Sequence, residues 1–403
     1  MWDGVKYPKM ANKKRVVITG GHLTPAIAVI SELQKEGDWE VYFLGRRYAT
    51  EGEKAISVES QIIPSLGIKF FPITVGRLQR RFTRHTIPSL LRVPLGFFQS
   101  LKLLLQIKPQ VICSFGGYVS VPVVFAGWLL KIPILTHEQT VVFGLASKIN
   151  AFFVNKVAVS FPESVKYFPK NKVVLTGNPI REEIFQIKKP SWFSGEAKSR
   201  SAGPVISAKG GSASGGQLSN YPIIYVTGGN QGSHTINMAV LEILLILLEK
   251  HVVIHQTGEK DYQQITDDRL QITQSLRKRY FIVPYIGPEE IGWVLNKASL
   301  IVSRAGANVI SEIAVLGKPA LFIPIPWAYQ DEQTKNAQIL VNAGVAEILS
   351  QAELSGMTLL YKISQMIEGL EKYKKRASAV KKLAASGAAL KIAEILHGLA
   401  KKA

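Results

Sequence analysis

Apolar runs recur along the chain, and each gives way to a glycine-rich or polar turn and then to a helical pattern. Residues 16–18 form the first run, followed at once by Thr19-Gly20-Gly21-His22 and helical spacing over 26–33. Comparable runs lie at 40–44, 111–114, 132–135, 156–160 and 172–175. A second series opens at 223–226, passes through a helical pattern over 236–248, and continues at 252–256, 281–286, 298–302 and 320–324. Strand, turn and helix repeating in both halves predict an α/β chain. The expected architecture is two Rossmann-like doubly wound domains facing a cleft, with their glycine turns at the strand ends where such sheets bind ligands.

The two series place the first domain over 13–181 and the second over 221–385. Between them, residues 190–220 are rich in Ser, Gly, Ala and Lys with no apolar period, which reads as a flexible insertion or linker. The Lys- and Ala-rich tail reads as helical, and its last stretch, 386–403, is expected to pack back on the first domain. A chain of 403 residues with 47% hydrophobic content can bury two such cores.

Charge narrows the partners. Forty-nine basic against 29 acidic residues give a formal +20, so an anionic partner is expected: nucleic acid, a nucleotide phosphate or an acidic membrane surface. No recognisable nucleic-acid module accompanies the charge. The segment 76–105 carries Arg77, Arg80, Arg81, Arg84, Arg92 and Lys102 among Phe82, Leu95, Phe97, Phe98 and Leu101. Such a segment can lie on an anionic lipid surface, or be an ordinary helix with a solvated basic face. The longest apolar windows, 119–130 and 243–248, fall short of the roughly 20 residues that span a bilayer, so membrane contact should be peripheral. No signal peptide is visible at the N-terminus. The single cysteine, Cys113, sits in an apolar run and reads as core packing in a reducing compartment.

Candidate chemistry gathers at the turns. The run Ser303-Arg304-Ala305-Gly306-Ala307-Asn308 leads from a strand into a helix bearing Ser311 and Glu312, and Gln330-Asp331-Glu332-Gln333 follows the next strand. A helix N-terminus offers unpaired N–H groups and partial positive charge, while a carboxylate one turn on can grip a pair of sugar hydroxyls. Thr227-Gly228-Gly229-Asn230-Gln231-Gly232-Ser233 and Phe115-Gly116-Gly117-Tyr118 are two more strand-end turns. His137 and Glu138 are adjacent at a strand end. They read as a metal pair or as polar scaffolding, and no third ligand stands at metal spacing.

The order of these elements resembles the MurG family of two-domain glycosyltransferases. The resemblance rests on Gly20-Gly21-His22 with Pro25, Gly116-Gly117-Tyr118-Val119-Ser120, His137-Glu138-Gln139, Gly177-Asn178-Pro179-Ile180-Arg181, the 228–233 turn, and the run from Ser303 to Ala337. It implies the glycosyltransferase B architecture and an inverting, metal-independent transfer of N-acetylglucosamine from UDP-N-acetylglucosamine to lipid-linked muramoyl-pentapeptide, with no cofactor and no nucleic acid. It also implies a peripheral enzyme on the cytoplasmic face of the cell membrane. By resemblance His22 is the base, while Thr19, Gly20, Gly21, Thr140, Arg181, Gly229, Asn230, Gln231, Ile286, Glu312 and Gln333 face the donor. Within that set Arg181 reaches the phosphates, Ile286 edges the uracil, Glu312 holds the ribose and Gln333 the sugar. Gly116, Gly117 and Tyr118 receive the acceptor's diphosphate. His22 suits a base because an imidazole ordinarily titrates near operating pH. The chain departs from the family pattern at Val17, Ile18, Thr140, Asn230 and Glu332. Another lipid acceptor such as diacylglycerol, or a binding protein without catalysis, stays open on sequence alone.

Overall fold

Two parallel sheets carry the molecule, seen here in a computed structural model that describes residues 13–48, 56–76, 86–194, 221–269, 272–383 and 387–401. The chain divides into two units, Met1–Pro179 with Gly387–Ala403, and Ile180–Ser386.

In the first unit the strands are β1 (Lys14–Thr19), β2 (Trp39–Gly45), β3 (Lys69–Pro72), β4 (Val111–Ser114), β5 (Ile134–Glu138), β6 (Lys156–Val159) and β7 (Val173–Leu175). They lie in the order β3-β2-β1-β4-β5-β6-β7, with every pairing parallel. Because Val16, Val17 and Ile18 are all fully buried, β1 is covered on both faces, which is why it reads as a solid apolar run. Val16 and Ile18 face one core, with Val29, Ile30 and Leu33 of α1 (Leu23–Glu36). Val17 faces the other, with Leu104 of α3 (Thr86–Ile107) and Val123 and Val124 of α4 (Ser120–Leu129). Truncating one of the buried leucines or isoleucines there, such as Ile18 or Leu104, to alanine costs about 2–5 kcal/mol. Helix α2 (Val58–Ser65) follows β2, α5 (Leu145–Phe153) follows β5, and α6 (Pro162–Val165) follows β6.

The tail returns to this unit. The last helix, α16 (Ala388–Ala400), buries Ile392, Ala393 and Leu396 in the same core as β1 and α1. His397 Nε2 lies 2.6 Å from Glu36 Oε2, which also accepts from Trp39 Nε1 at 3.1 Å, and Lys14 Nζ sits 3.1 Å from His397 Nδ1.

In the second unit β8 (Ile223–Thr227), β9 (Val252–Gln256), β10 (Tyr280–Val283), β11 (Leu300–Ser303), β12 (Ala320–Phe322) and β13 (Ala346–Ile348) take the order β10-β9-β8-β11-β12-β13, again all parallel. Its helices are α7 (Ser191–Ser194), α8 (His234–Lys250), α9 (Glu259–Arg269), α10 (Gln274–Arg277), α11 (Pro288–Lys297), α12 (Ala307–Leu316), α13 (Glu332–Asn342), α14 (Gly356–Glu368) and α15 (Leu370–Leu383). Strand β10 ends three residues short of the expected 286, because Pro284 has no N–H to continue the ladder. Ile286 therefore stands in the loop, buried.

In both sheets the strand order reverses beside the first strand, between β1 and β4 and between β8 and β11. That switch point is where ligands of doubly wound sheets bind, outside the carboxyl ends of the strands. The glycine turns fall there because they follow those strands. Two boundaries differ from the sequence reading. Residues 190–194 belong to the second unit's packing, with Trp192 2% exposed and the Phe193 ring 4.5 Å from that of Phe281; the rest of the expected linker, 195–220, lies outside the described residues. Arg181 also groups with the second unit, since the 3-10 turn Glu182–Phe185 seats its carbonyls where a Cβ on Gly292 of α11 would stand.

Candidate functional site

At the first switch point two glycine turns interlock. Thr19 O accepts from Phe115 N at 2.7 Å and Gly116 O accepts from Gly21 N at 2.9 Å. Gly20 sits at φ 144, and a Cβ there would lie 2.7 Å from the Phe115 carbonyl carbon, so only glycine lets the strand ends approach this closely. The result sets His22 against Gly116, where a Cβ would meet the imidazole at 3.5 Å. His22 occupies the N-cap of α1 but makes no side-chain cap hydrogen bond, so it is not there to close the helix. Its Nδ1 lies 2.8 Å from the Gln139 amide nitrogen. Burial pulls the imidazole down from its ordinary 6.5 to about 4. This corrects the expectation that His22 titrates near neutral pH: its surroundings favour the uncharged ring.

The neighbouring residues divide between facing the turn and supporting it. Tyr118 accepts from Arg46 NH1 at 2.9 Å, and Arg46 Nε reaches Glu59 at 2.8 Å, so a guanidinium stands beside the second glycine turn. The Thr140 hydroxyl lies 3.0 Å from Glu138 Oε1 and 2.6 Å from Val142 O, and its amide donates to the same carboxylate. Thr140 is thus committed inside its own loop rather than offered outward. His137 is buried on Gly177 O at 3.3 Å and Ser160 Oγ at 3.2 Å, and burial lowers its pKa to about 3. His137 and Glu138 engage separate partners, as scaffolding residues do. Among the described residues no group of three His, Cys, Asp or Glu side chains is placed to hold a metal ion. Cys113 is buried in the core, as expected of packing, and burial pushes its thiol up.

At the second switch point β8 delivers the 228–233 turn to the N-terminus of α8. Gly232 has φ 74, and a Cβ there would fall 1.8 Å from Thr257 O. Gly229 N is held by Thr227 Oγ1 at 3.0 Å and Gly229 O by Gln256 Nε2 at 3.0 Å, while Asn230 and Gln231 are exposed. Beside this turn the loop after β11 enters α12, where Glu312 is 5% exposed. Its Oε1 accepts from Arg181 at 3.0 Å (NH2) and 3.1 Å (Nε). Burial raises the Glu312 pKa, and the Arg181 charge opposes that rise. Sequence reasoning gave these two residues separate tasks, and the structure pairs them with each other. Gln333 turns its Oε1 onto the backbone amides of Ala305 (3.2 Å) and Ile325 (3.1 Å). Gln330 and Asp331, just before it, both lie in the left-handed region at φ 48 and 56, a strain of about 1–2 kcal/mol each.

Three residues given no role by the sequence belong to these clusters: Arg46, Gln139 and Arg304. Gln139 is 117 positions from His22, and only the β1–β4–β5 order brings them together. Arg304 was visible as a guanidinium directly after a buried strand, a costly place for a charge.

Two Rossmann-order sheets with glycine turns at both switch points define the class. Residues 17–159 match the glycosyltransferase family 28 N-terminal domain and residues 223–392 match the family's C-terminal domain. The UDP-N-acetylglucosamine--N-acetylmuramyl-(pentapeptide) pyrophosphoryl-undecaprenol N-acetylglucosamine transferase of Halothermothrix orenii is 34% identical over 372 residues, 91% of this chain and 92% of that protein. The protein of the same name from Clostridium botulinum strain Langeland is 34% identical over 365 residues, 89% of this chain and 93% of its own. The crystal structure of Acinetobacter baumannii MurG shares the fold with a TM-score of 0.68 at 23% identity, over 96% of this chain and 99% of that one. The chain belongs to the MurG family.

Proposed function

We propose that this chain moves N-acetylglucosamine from UDP-N-acetylglucosamine to the muramoyl C4 hydroxyl of undecaprenyl-pyrophosphoryl-muramoyl-pentapeptide, inverting the anomeric carbon, in peptidoglycan synthesis. The observation that carries this is 34% identity to transferases of that name along some nine-tenths of both chains. The two strand-end clusters supply groups of the kind the reaction needs. In the second unit the 228–233 turn and the α8 N-terminus meet the donor diphosphate through Gly229, Asn230 and Gln231, as N–H groups and the helix dipole favour anions. Glu312 takes the ribose hydroxyls, backbone atoms at Ile286 edge the uracil, and Gln333, its carbonyl already engaged, offers its amide nitrogen to the sugar. Glu312 and Arg181 are paired to each other before the donor arrives. Donor binding then exchanges that pair for ribose on the carboxylate and phosphate on the guanidinium.

In the first unit Gly116, Gly117 and Tyr118 receive the acceptor diphosphate, with Arg46 as the adjacent cation. Thr19, Gly20 and Gly21 form the turn that holds His22, while Thr140 supports its loop. His22 takes the proton of the C4 hydroxyl as that oxygen attacks the anomeric carbon from the face opposite UDP; the bond to the diphosphate breaks and its electron pair leaves with UDP. The ring stays uncharged down to about pH 4, so at neutral pH it is in the proton-accepting form. The proton goes to Nε2 when Gln139 presents Oε1 to Nδ1–H, and the 2.8 Å approach suits either orientation of the amide.

The enzyme docks peripherally on the anionic cytoplasmic surface of the membrane. Among the described residues no helix is long and apolar enough to cross a bilayer. Leu95 and Phe98 of α3, Phe125, Trp128 and Leu129 of α4, and Phe152 of α5 are exposed, and ring contacts link Phe97, Phe125, Trp128 and Phe153. Arg92, Lys102, Lys131 and Lys148 are exposed on and beside the same helices. Rings and cations together are what an anionic lipid surface selects. Arg77, Arg80, Arg81 and Arg84 lie outside the described residues.

The assignment of the two clusters is tested by splitting the kinetics. Glu312→Gln and Gln333→Ala should raise the KM for UDP-N-acetylglucosamine and spare that for the lipid acceptor. Tyr118→Phe with Arg46→Met should do the reverse. The opposite pattern, or no change, overturns it.

A further inference from the structure

Arg304 lies directly after β11 and is 7% exposed. Its NH1 donates to Ile323 O at 2.9 Å and Pro324 O at 3.3 Å, and its NH2 donates to Ser233 Oγ at 2.7 Å and Thr235 Oγ1 at 3.3 Å. All four acceptors are neutral. Among the described residues no carboxylate pairs with it, and burial alone acts on its pKa, downward. A buried guanidinium is ordinarily matched by an anion, because leaving its charge uncompensated is costly. The half-buried cation of this cluster, Arg181, has such a match in Glu312. A strut between the β12 end and the first turn of α8 needs only hydrogen-bond donors, and an amide would serve. The charge exceeds what the strut requires.

Its position says where the missing anion belongs. Ser233 is the N-cap of α8 yet makes no cap hydrogen bond; its hydroxyl accepts from Arg304 instead. The guanidinium therefore stands behind the 228–233 turn, at the end of the helix that is already partially positive.

We propose that Arg304 is the fixed counter-charge of the leaving diphosphate, acting through Ser233 and the first turn of α8 to favour diphosphate-bearing ligands over neutral nucleosides. This rests on the reading that the 228–233 turn receives the donor diphosphate. Arg304 is a positioning residue rather than a catalytic one, since its hydrogen bonds go to Ser233, Thr235 and the carbonyls of Ile323 and Pro324. Arg181 arrives by exchanging partners, whereas Arg304 is already in place, so the charge that meets UDP as it departs needs no rearrangement.

The test compares UDP with uridine by titration calorimetry on the full chain. In the wild type UDP should bind more tightly than uridine. Arg304→Gln keeps donors for the strut and removes the charge; it should lower the UDP-to-uridine affinity ratio roughly 10- to 100-fold, the worth of a charged hydrogen-bond set, with uridine affinity little changed. An unchanged ratio, or equal losses for both ligands, overturns the inference and leaves Arg304 a strut. Arg304→Lys serves if the glutamine variant does not fold. A buried lysine without an anion titrates below its ordinary range, so its UDP-to-uridine ratio should fall between about pH 7 and 10 while the wild-type ratio holds. A flat ratio in that variant overturns the inference equally. Failure of the wild type to bind UDP at all would instead reject the donor-site reading on which this rests.

Discussion

Replacing Gln139 by glutamate should convert the His22 pair into a His–carboxylate dyad, and the effect can be worked from the geometry. The amide nitrogen of Gln139 is 2.8 Å from His22 Nδ1, so a carboxylate at that place would accept Nδ1–H and leave Nε2 as the base. Burial alone holds His22 at about 4. An adjacent negative charge favours the imidazolium by roughly 1–3 pKa units, each worth about 1.4 kcal/mol. The acid limb of kcat/KM should therefore move from about pH 4 in the wild type to roughly pH 5–7 in Gln139→Glu. Gln139→Leu should keep the low limb but lower kcat about 10- to 100-fold, because the ring loses its orientation, with the donor KM unchanged. The assay is the initial rate of disaccharide formation across this pH range, with thermal melts at each pH to confirm folded protein. A wild-type limb near 6.5, or limbs that coincide in the wild type and Gln139→Glu, would refute the reasoning.

Other outcomes follow from the same structure. His22→Ala should cut kcat about 100- to 10,000-fold while UDP affinity, measured by calorimetry, stays within about twofold; equal losses in both would remove His22 from the base role. Gly20→Ala drives a Cβ to 2.7 Å from the Phe115 backbone at a φ of 144, so denaturant unfolding should show a loss of about 1–3 kcal/mol, with the interlocked turns spread apart. Buried neutral histidines make the fold acid-sensitive. His22 at about 4 and His137 and His255 at about 3 all lie below the unfolded value, so the unfolded chain binds more protons in that window. Stability should be full above about pH 6.5 and decline as pH falls toward 3, and a melting temperature flat from pH 7 to 4 would contradict this. Replacing Phe98 and Phe152 together by serine should weaken co-sedimentation with anionic vesicles with little change in melting temperature, since both are largely exposed.

The strand order was within reach of the sequence because parallel strands buried on both faces read as solid apolar runs, each closed by its own glycine turn. The turns at 20–22, 116–118 and 228–233 were found for that reason, and the doubly wound order then sets them at the switch points. Strand β13 was not read: three residues with Glu347 at the centre carry no apolar run. What stayed hidden depends on distance along the chain or on burial. Gln139 meets His22 across 117 positions, and Arg181 meets Glu312 across 131. The low pKa of His22 belongs to the surrounding protein and not to the Gly-Gly-His string. The sequence gives Arg304 no role, since its lack of a counter-anion among the described residues appears only once its neighbours are known. Thr140, expected to face the donor, turns its hydroxyl inward to Glu138 and Val142.

The central claim is the transfer itself. Purified protein incubated with UDP-N-acetylglucosamine and lipid-linked muramoyl-pentapeptide should release one UDP for each lipid-linked disaccharide formed, with an anomeric configuration opposite to the donor's. UDP release without disaccharide, or a disaccharide that retains the donor's configuration, would contradict the account.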